Sequence, residues 1–290
     1  MNLKKFHTVL KNAFTNSLTI LKIILLSKWG TKPAQKIKTG TECIVLGNGP
    51  SLTQTIENNK DFFNNKPKLA VNFFVNTDFF LITKPNYYVI QAPELWETNV
   101  NEDYIIRGEK LFSDIAQQTQ WPMILFLPFS AQKFKPWQQT IKTNSNITVQ
   151  LYNSTPGDGS KGFQTYIFRH AWAMPRPHNV IIPSLMVLLN LGIETIYIAG
   201  ADHSWLKEIY VADDNRVFLT QKHFYDSQIA SAMPMFLAGR NERKLHEILE
   251  KFMLSFKAYF EIKYYAQTRH QRIFNITPNS FIDAFERIKL

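Results

Sequence analysis

Two short runs in the chain carry residue types that act on ligands. Gly47-Asn48-Gly49-Pro50-Ser51 follows the apolar stretch 43–46, and Gly200-Ala201-Asp202-His203-Ser204-Trp205 closes the apolar stretch 195–200. Glycines flanking an asparagine let a backbone curl tightly or approach a neighbour closely. Proline and serine behind them suit a helix start, where free N–H groups attract anions such as phosphate. The spacing departs from a full GxGxxG, so a plain structural turn stands beside the phosphate reading. In the second run Asp202 caps the loop or fixes the tautomer of His203, a side chain that titrates near the pH of acid–base chemistry. Ser204 adds a hydroxyl, and Trp205 a face on which a base or sugar stacks. Asn72 with Asn76, and Gln91, stand at the ends of two further apolar runs.

The elements that must position these residues alternate between strand and helix. Apolar runs at 43–46, 67–76, 85–96, 122–129 and 195–200 read as strands. The segments 51–64, 183–192 (ended by a C-cap glycine) and 241–264 read as helices, and 272–285 as a strand, a turn and a short helix. This predicts an α/β fold, a doubly wound and mainly parallel Rossmann-like sheet with ligands beyond the strands' carboxyl ends. Residues 37–290 form one domain, and 130–175 and 205–238 are expected as irregular, lid-like coverings.

Of the ten excess positive charges, eight are lysines within residues 1–40, which hold no acid. A nucleic-acid binder carries its charge across a folded face; here it sits on a tail, so no nucleic-acid partner is expected. The tail and connector, 1–36, read as a basic amphipathic helix with Leu3, Phe6, Val9, Leu10, Ala13 and Phe14 at helical spacing. Its most apolar part, 18–26, contains Lys22 and falls short of the roughly twenty residues that span a bilayer. Two readings remain: a helix lying on an anionic membrane surface through residues 1–30, or one packed on its own domain or a partner. The lone Cys43 reads as a buried core thiol and excludes an internal disulfide; cytoplasmic residence fits. Asp213-Asp214 reads as a solvated turn rather than a metal site, and His170, His178, His246 and His270 join no constellation.

GNGPSL after a first strand, VNFF on a second, LNLGIETIYIAGAD after a middle helix and TPNSFI near the C-terminus occur in this order. Together they resemble the lipooligosaccharide-type bacterial sialyltransferases (glycosyltransferase family 42), the related motility accessory factors and the MptE-like pterin pyrophosphokinases. The resemblance covers roughly 42–91 and 177–285. It implies that Asn48 and Asn72 contact a nucleotide sugar, with Gln91 where the family has a third asparagine. Gly47, Gly49, Ser51, Gly200 and Asp202 fall in the same binding turns. Ser204 replaces a leaving-group tyrosine, and Tyr210 matches a second. Asn179-Val180 falls where the family has Thr-Ser. His223 matches the family's catalytic base, and His203 sits beside the missing tyrosine as a leaving-group donor.

The resemblance therefore implies an inverting glycosyltransferase that needs no cofactor or metal. Its donor would be a CMP-activated sialic or related nonulosonic acid, and its acceptor a surface glycan or glycolipid at the inner membrane face. A homo-oligomer is compatible with this. An MptE-like kinase would instead need ATP and Mg²⁺, with Asp202 and Asp213 as the ligands on offer. A non-catalytic nucleotide-binding module is the third reading.

Overall fold

The computed structural model describes residues 3–29, 41–220, 232–234, 236–237 and 241–290. Helix α1 (Leu3–Leu26) precedes strand β1 (Glu42–Leu46). Helices α2 (Leu52–Asn58) and α3 (Lys60–Asn64) lead to β2 (Lys68–Val71), and α4 (Asp78–Thr83) leads to β3 (Tyr87–Val89). Helix α5 (Glu102–Gln118) comes before β4 (Met123–Pro128), and α6 (Pro136–Ile141) before β5 (Ile147–Tyr152). Helices α7 (Lys161–Arg169) and α8 (Ile181–Asn190) run up to β6 (Thr195–Ala199). A small antiparallel sheet of β7 (Ile209–Val211), β8 (Val217–Leu219) and β9 (Met233–Pro234) follows, then the pair β10 (Phe236–Leu237) and β11 (Asn241–Glu242). Helix α9 (Leu245–Gln267), β12 (Arg272–Asn275) and β13 (Glu286–Arg287) complete the chain.

Eight strands form one parallel sheet in the order β13-β12-β6-β1-β2-β3-β4-β5. Both faces are covered, which is why the central strands are apolar without alternation. On β1, Cys43 and Val45 join one hydrophobic core while Ile44 and Leu46 join the other. This is the expected α/β, mainly parallel Rossmann-like architecture. The strand order runs outward from β1 to β5, then the chain crosses back to lay β6 on the other side of β1. The switch point thus lies between β1 and β6, and ligands of open α/β sheets bind beyond it.

Several local expectations differ from what is found. Residues 130–175 are not an irregular covering; they hold α6, α7 and the edge strand β5. As an edge strand, β5 leaves Thr148 and Val149 exposed, and this erases the apolar run that marks its neighbours. The second strand stops at Val71 and becomes a 3₁₀ turn over Asn72–Asn76. The helix expected over 51–64 is broken at Asn59. Near the C-terminus the short helix is replaced by β13, which pairs with β12.

Helix α1 is unusual in which side it buries. Asn12, Thr15, Asn16, Thr19, Lys22, Ile23 and Ser27 form its half-buried to buried stripe, and only Ile23 among them is apolar. Thr19 Oγ1 donates to Asp158 O at 2.8 Å, Asn16 Oδ1 accepts from Ser160 N at 3.0 Å, and Lys22 pairs with Asp158 at 3.2 Å. Ser27 Oγ donates at 2.7 Å to Trp172 O, and Trp29 packs on Trp172. Phe6, Leu10, Phe14, Leu18, Leu21 and Leu25 face outward. The helix is continuous through the polar pair Asn16-Ser17, so its apolar length exceeds the nine residues read from sequence. Over Phe6–Leu26 it is long and apolar enough, by length and composition, to cross a membrane.

Beyond the strands, the ends of β1 and β6 are fastened backbone to backbone. Gly47 N donates to Ala199 O at 2.8 Å and Gly49 N to Gly200 O at 2.7 Å. A Cβ on Gly47 would lie 2.4 Å from Gly200 O and 2.9 Å from Gly200 C, atoms that cannot swing aside. We therefore expect Gly47→Ala to destabilise the fold by about 1–3 kcal/mol, the usual cost of overpacking. Thermal denaturation would register it as a lowered Tm.

Candidate functional site

A cavity of about 330 Å³ opens at the β1/β6 switch point. It brings together Gly47, Asn48, Gly49, Asn72, Gln91, Asn179, Gly200, Asp202, His203, Ser204 and Trp205, residues singled out from widely separated parts of the sequence. Three buried polar atoms of its lining have no hydrogen-bond partner among the described residues: Asn48 Oδ1, His178 Nε2 and Asn179 Nδ2. Such orphans are costly unless something else satisfies them. A larger cavity, about 520 Å³ between α2 and residues 275–290, has no such atom in its lining. The switch-point cavity is the candidate site.

Its GNGPS turn is built differently from a phosphate cradle. Gly49 N–H is spent on Gly200 O, and the place an anion would take is occupied by the Asp202 carboxylate. Ser51 Oγ donates to Asp202 Oδ2 at 2.9 Å, and the Ser51 backbone N–H bonds the same carboxylate. A Cβ on Gly49 would sit 2.0 Å from that oxygen. The glycines therefore admit the chain's own carboxylate, and Ser51 is a partner of Asp202 rather than a helix cap. Burial raises the Asp202 pKa against the lowering effect of the Ser51 bonds.

A second corner joins β2 to β3. Asn72 takes a left-handed conformation (φ 44°), which asparagine tolerates better than most residues. There its Oδ1 accepts from Gln91 N at 3.1 Å, and Gln91 Oε1 accepts in turn from the buried Tyr152 hydroxyl. Both amides are thus held in place at the cavity edge.

The third wall is a hydrogen-bonded chain across β6, α9 and α8. His203, also left-handed (φ 51°), has Nε2 2.6 Å from the Tyr259 hydroxyl, which donates to Asn179 Oδ1 at 3.0 Å. With its proton on Asn179, the Tyr259 oxygen accepts from His203, and the imidazole is the Nε2–H tautomer. Asn179 Oδ1 also accepts from Ile181 N and Ile182 N, at 3.0 and 3.4 Å, at the start of α8. Its orientation is fixed by these bonds, and Nδ2 is left unpartnered. His203 is 9% exposed, and burial lowers its pKa to about 3. The buried ring is neutral and its Nε2 is engaged by Tyr259. Trp205 stacks on His203, with ring centroids 4.1 Å apart, and on Phe252, which engages the ring expected to receive a base or sugar.

Two lining residues went unrecognised in the sequence. His178 has its pKa lowered to about 4 by burial, and further by Arg176, Lys251 and Arg243. Lys251 has its own pKa lowered by burial and then by Arg243, with Glu94 opposing. The signal for Lys251 is its spacing on α9, three residues after buried Ile248 and four before buried Ser255. Tyr210 lies elsewhere: it is 52% exposed on β7, stacked on Phe218, and does not line the cavity. His223 falls outside the described residues. Asp213 and Asp214 are exposed in the β7–β8 turn. Among the described residues no group of three His, Cys, Asp or Glu side chains gathers as a metal site. Cys43 is fully buried, and burial pushes its thiol pKa up.

No protein-family model matches the chain. No curated protein matches it either. Among solved structures it is similar to one described as a MAf glycosyltransferase from Magnetospirillum magneticum AMB-1, at 10% sequence identity and a TM-score of 0.48. The match covers 96% of this chain and 38% of that one, so this chain spans well under half of that protein's length.

The buried neutral imidazole of His203 makes stability pH-dependent. Its folded pKa, about 3, lies below the ordinary 6.5, so only the unfolded state takes up its proton between those values. Stability contributed by the neutral form is therefore present above pH 6.5 and is lost as pH falls toward 3, at up to about 1.4 kcal/mol per pH unit. Thermal melts at pH 7.5 and 4.5 should show a smaller acid-induced loss in His203→Gln than in the unchanged protein.

Proposed function

We propose that the switch-point cavity binds a nucleotide-activated sugar and that the protein is a glycosyltransferase. The observation that carries this reading is the convergence of Asn48 Oδ1, His178 Nε2 and Asn179 Nδ2, unpartnered, in one cavity beyond the strand ends. Asn48 Nδ2 donates to Val71 O at 3.3 Å, which turns its free oxygen toward a ligand hydroxyl or amine. The GNGPSL and GAD resemblance favours a CMP-activated nonulosonic acid as donor, inverting transfer without a metal, and His223 as the group that removes the acceptor proton. His223→Ala is then expected to lower turnover by about 10²–10⁴ with donor affinity nearly unchanged.

The outward apolar face of α1, with Lys11 exposed beside it and Lys4 and Lys5 preceding it, supports attachment to the cytoplasmic face of the inner membrane. A helix that docks on its protein through its polar side has its apolar side free for lipid. Lysines near an anionic surface contribute about 1 kcal/mol each. The acceptor in this reading is a lipid-linked glycan.

Thermal stabilisation by CMP, CDP, UDP, GDP and ATP tests the ligand class; saturation at 100 times the Kd adds about 2.7 kcal/mol. Asn48→Ala should weaken the stabilising nucleotide by about 1–3 kcal/mol while leaving the domain folded. Undiminished affinity in that variant would remove the site from this cavity. For the membrane, Leu18→Asp combined with Leu25→Asp changes only exposed residues, and should abolish co-sedimentation with phosphatidylglycerol-containing vesicles at low salt.

A further inference from the structure

The cavity's polar atoms are not distributed evenly, and the asymmetry says where a ligand's charge belongs. At the GNGPS turn the chain supplies its own carboxylate, Asp202, held by Ser51. An oxyanion brought there would meet a like charge. Across the cavity stand groups that only donate. Asn179 Oδ1 already accepts from Tyr259, Ile181 and Ile182, so its free Nδ2 offers hydrogens and nothing else. Lys251 lines the same space, half-buried, and makes no ion pair among the described residues. Outside the lining itself, Arg243 lies close enough to lower the pKa of both Lys251 and His178, and its Nε is buried with no hydrogen-bond partner among the described residues. Arg176 acts on His178 from the exposed side.

Carboxylates are present as well. Glu94 and Glu208 line the cavity, and Glu94 acts on Lys251 from beyond ion-pair distance. Of these two only Glu94 acts on Lys251, and not as an ion pair, so the Lys251 ammonium stands in the cavity wall without a carboxylate partner among the described residues. Donor-only groups and unpaired cations taken partly out of water are stabilised by an acceptor carrying negative charge.

We infer that Lys251 and the Asn179 amide, with Arg243 near Lys251, form an oxyanion subsite that receives the acidic group of the bound donor. The inference rests on the nucleotide-sugar reading for the donor's identity, and on the cavity alone for the position of its charge. Two donor groups share this chemistry, the phosphate of the nucleotide and the carboxylate of an acidic sugar.

Isothermal titration with cytidine, CMP, inorganic pyrophosphate and N-acetylneuraminate separates the possibilities. Lys251→Met keeps the length of the side chain and removes its charge; Arg243→Gln keeps a donor. Lys251→Met should melt at or above the unchanged protein, because an unpaired half-buried cation is removed. Each variant should weaken acidic probes about tenfold or more, the scale of a hydrogen bond to a charged group, and leave cytidine unaffected. Selective loss of CMP and pyrophosphate places phosphate at the wall, whereas selective loss of N-acetylneuraminate places a carboxylate there. Acidic probes that bind both folded variants as tightly as the unchanged protein overturn the subsite, as does an unchanged protein that binds none of them. Pyrophosphate binding that depends on Lys251, without any nucleoside or nucleotide binding, upholds the subsite and refutes the nucleotide reading.

Discussion

The site depends on the close contact between two backbone turns at the centre of the sheet. The turn after β1 and the turn after β6 approach until glycine hydrogens, carbonyl oxygens and one carboxylate fill the space between them. No side chain fits at Gly47 or Gly49 without displacing backbone or Asp202. That contact sets how far β1 and β6 splay beyond their last pairing, Leu46 with Ala199, and so sets the floor of the cavity. A sheet that changes winding direction between neighbouring strands opens a crevice there in any case. Here the crevice is lined on one side by a built-in anion and closed on the other by helices α8 and α9.

The wall opposite owes its polarity to a chain of three hydrogen-bonded groups. His203 belongs to the β6 turn, Tyr259 to α9 and Asn179 to the residues before α8, so the chain ties three elements to one amide orientation. Reversing that amide would put two hydrogens against Ile181 N–H and Tyr259 O–H, leaving several donors facing donors. The orientation is therefore determined, and Asn179 presents hydrogens to the cavity. Asn48 is fixed the other way by its bond to Val71 O and presents an oxygen. A molecule satisfying both has a hydroxyl or amine toward β1 and acceptor oxygens toward α8 and α9. Activated sugars have this bipolar character.

Much of the architecture was legible in the sequence, because strands covered on both faces are apolar runs and their order follows the alternation with helices. The cavity lining was legible too, in the polar residues that close those runs. What stayed hidden depends on contacts distant along the chain. GNGPS reads the same whether its glycines admit a phosphate or Asp202, since nothing local reveals the partner lying about 150 residues away. His178 carries no motif and joins the cavity lining, with Lys251, only through the fold. β5 carries no continuous apolar run because, at the sheet edge, consecutive residues Thr148 and Val149 are exposed on its two faces. In α1 the polar stripe of Asn12, Thr15, Asn16 and Thr19 was visible, but polar stripes on helices ordinarily face water, and this one faces the protein.

That inversion links the helix to the site through a short physical path. Gln91 closes one end of the cavity and is held by the Tyr152 hydroxyl. The next residue, Asn153, fixes the backbone of Lys28 from both sides: its Oδ1 accepts from Lys28 N at 2.9 Å, and its Nδ2 donates to Lys28 O at 3.0 Å. The Thr155 hydroxyl then donates to Ser27 Oγ, whose own hydrogen goes to Trp172 O, and Asp158 and Ser160 bond the polar side of α1. Most of the polar contacts of α1 with the domain thus fall on β5 and the eight residues after it, with Trp172 adding a further anchor. A surface held by the outward face of α1 would have its position relative to Gln91 set by this segment. The polar contacts would be lost if α1 stood free of the domain to cross a bilayer, and they are retained if it lies flat. The hydrogen bonds of Asn16, Thr19 and Ser27 hold α1 on the domain, so the proposed membrane attachment requires the helix to lie flat.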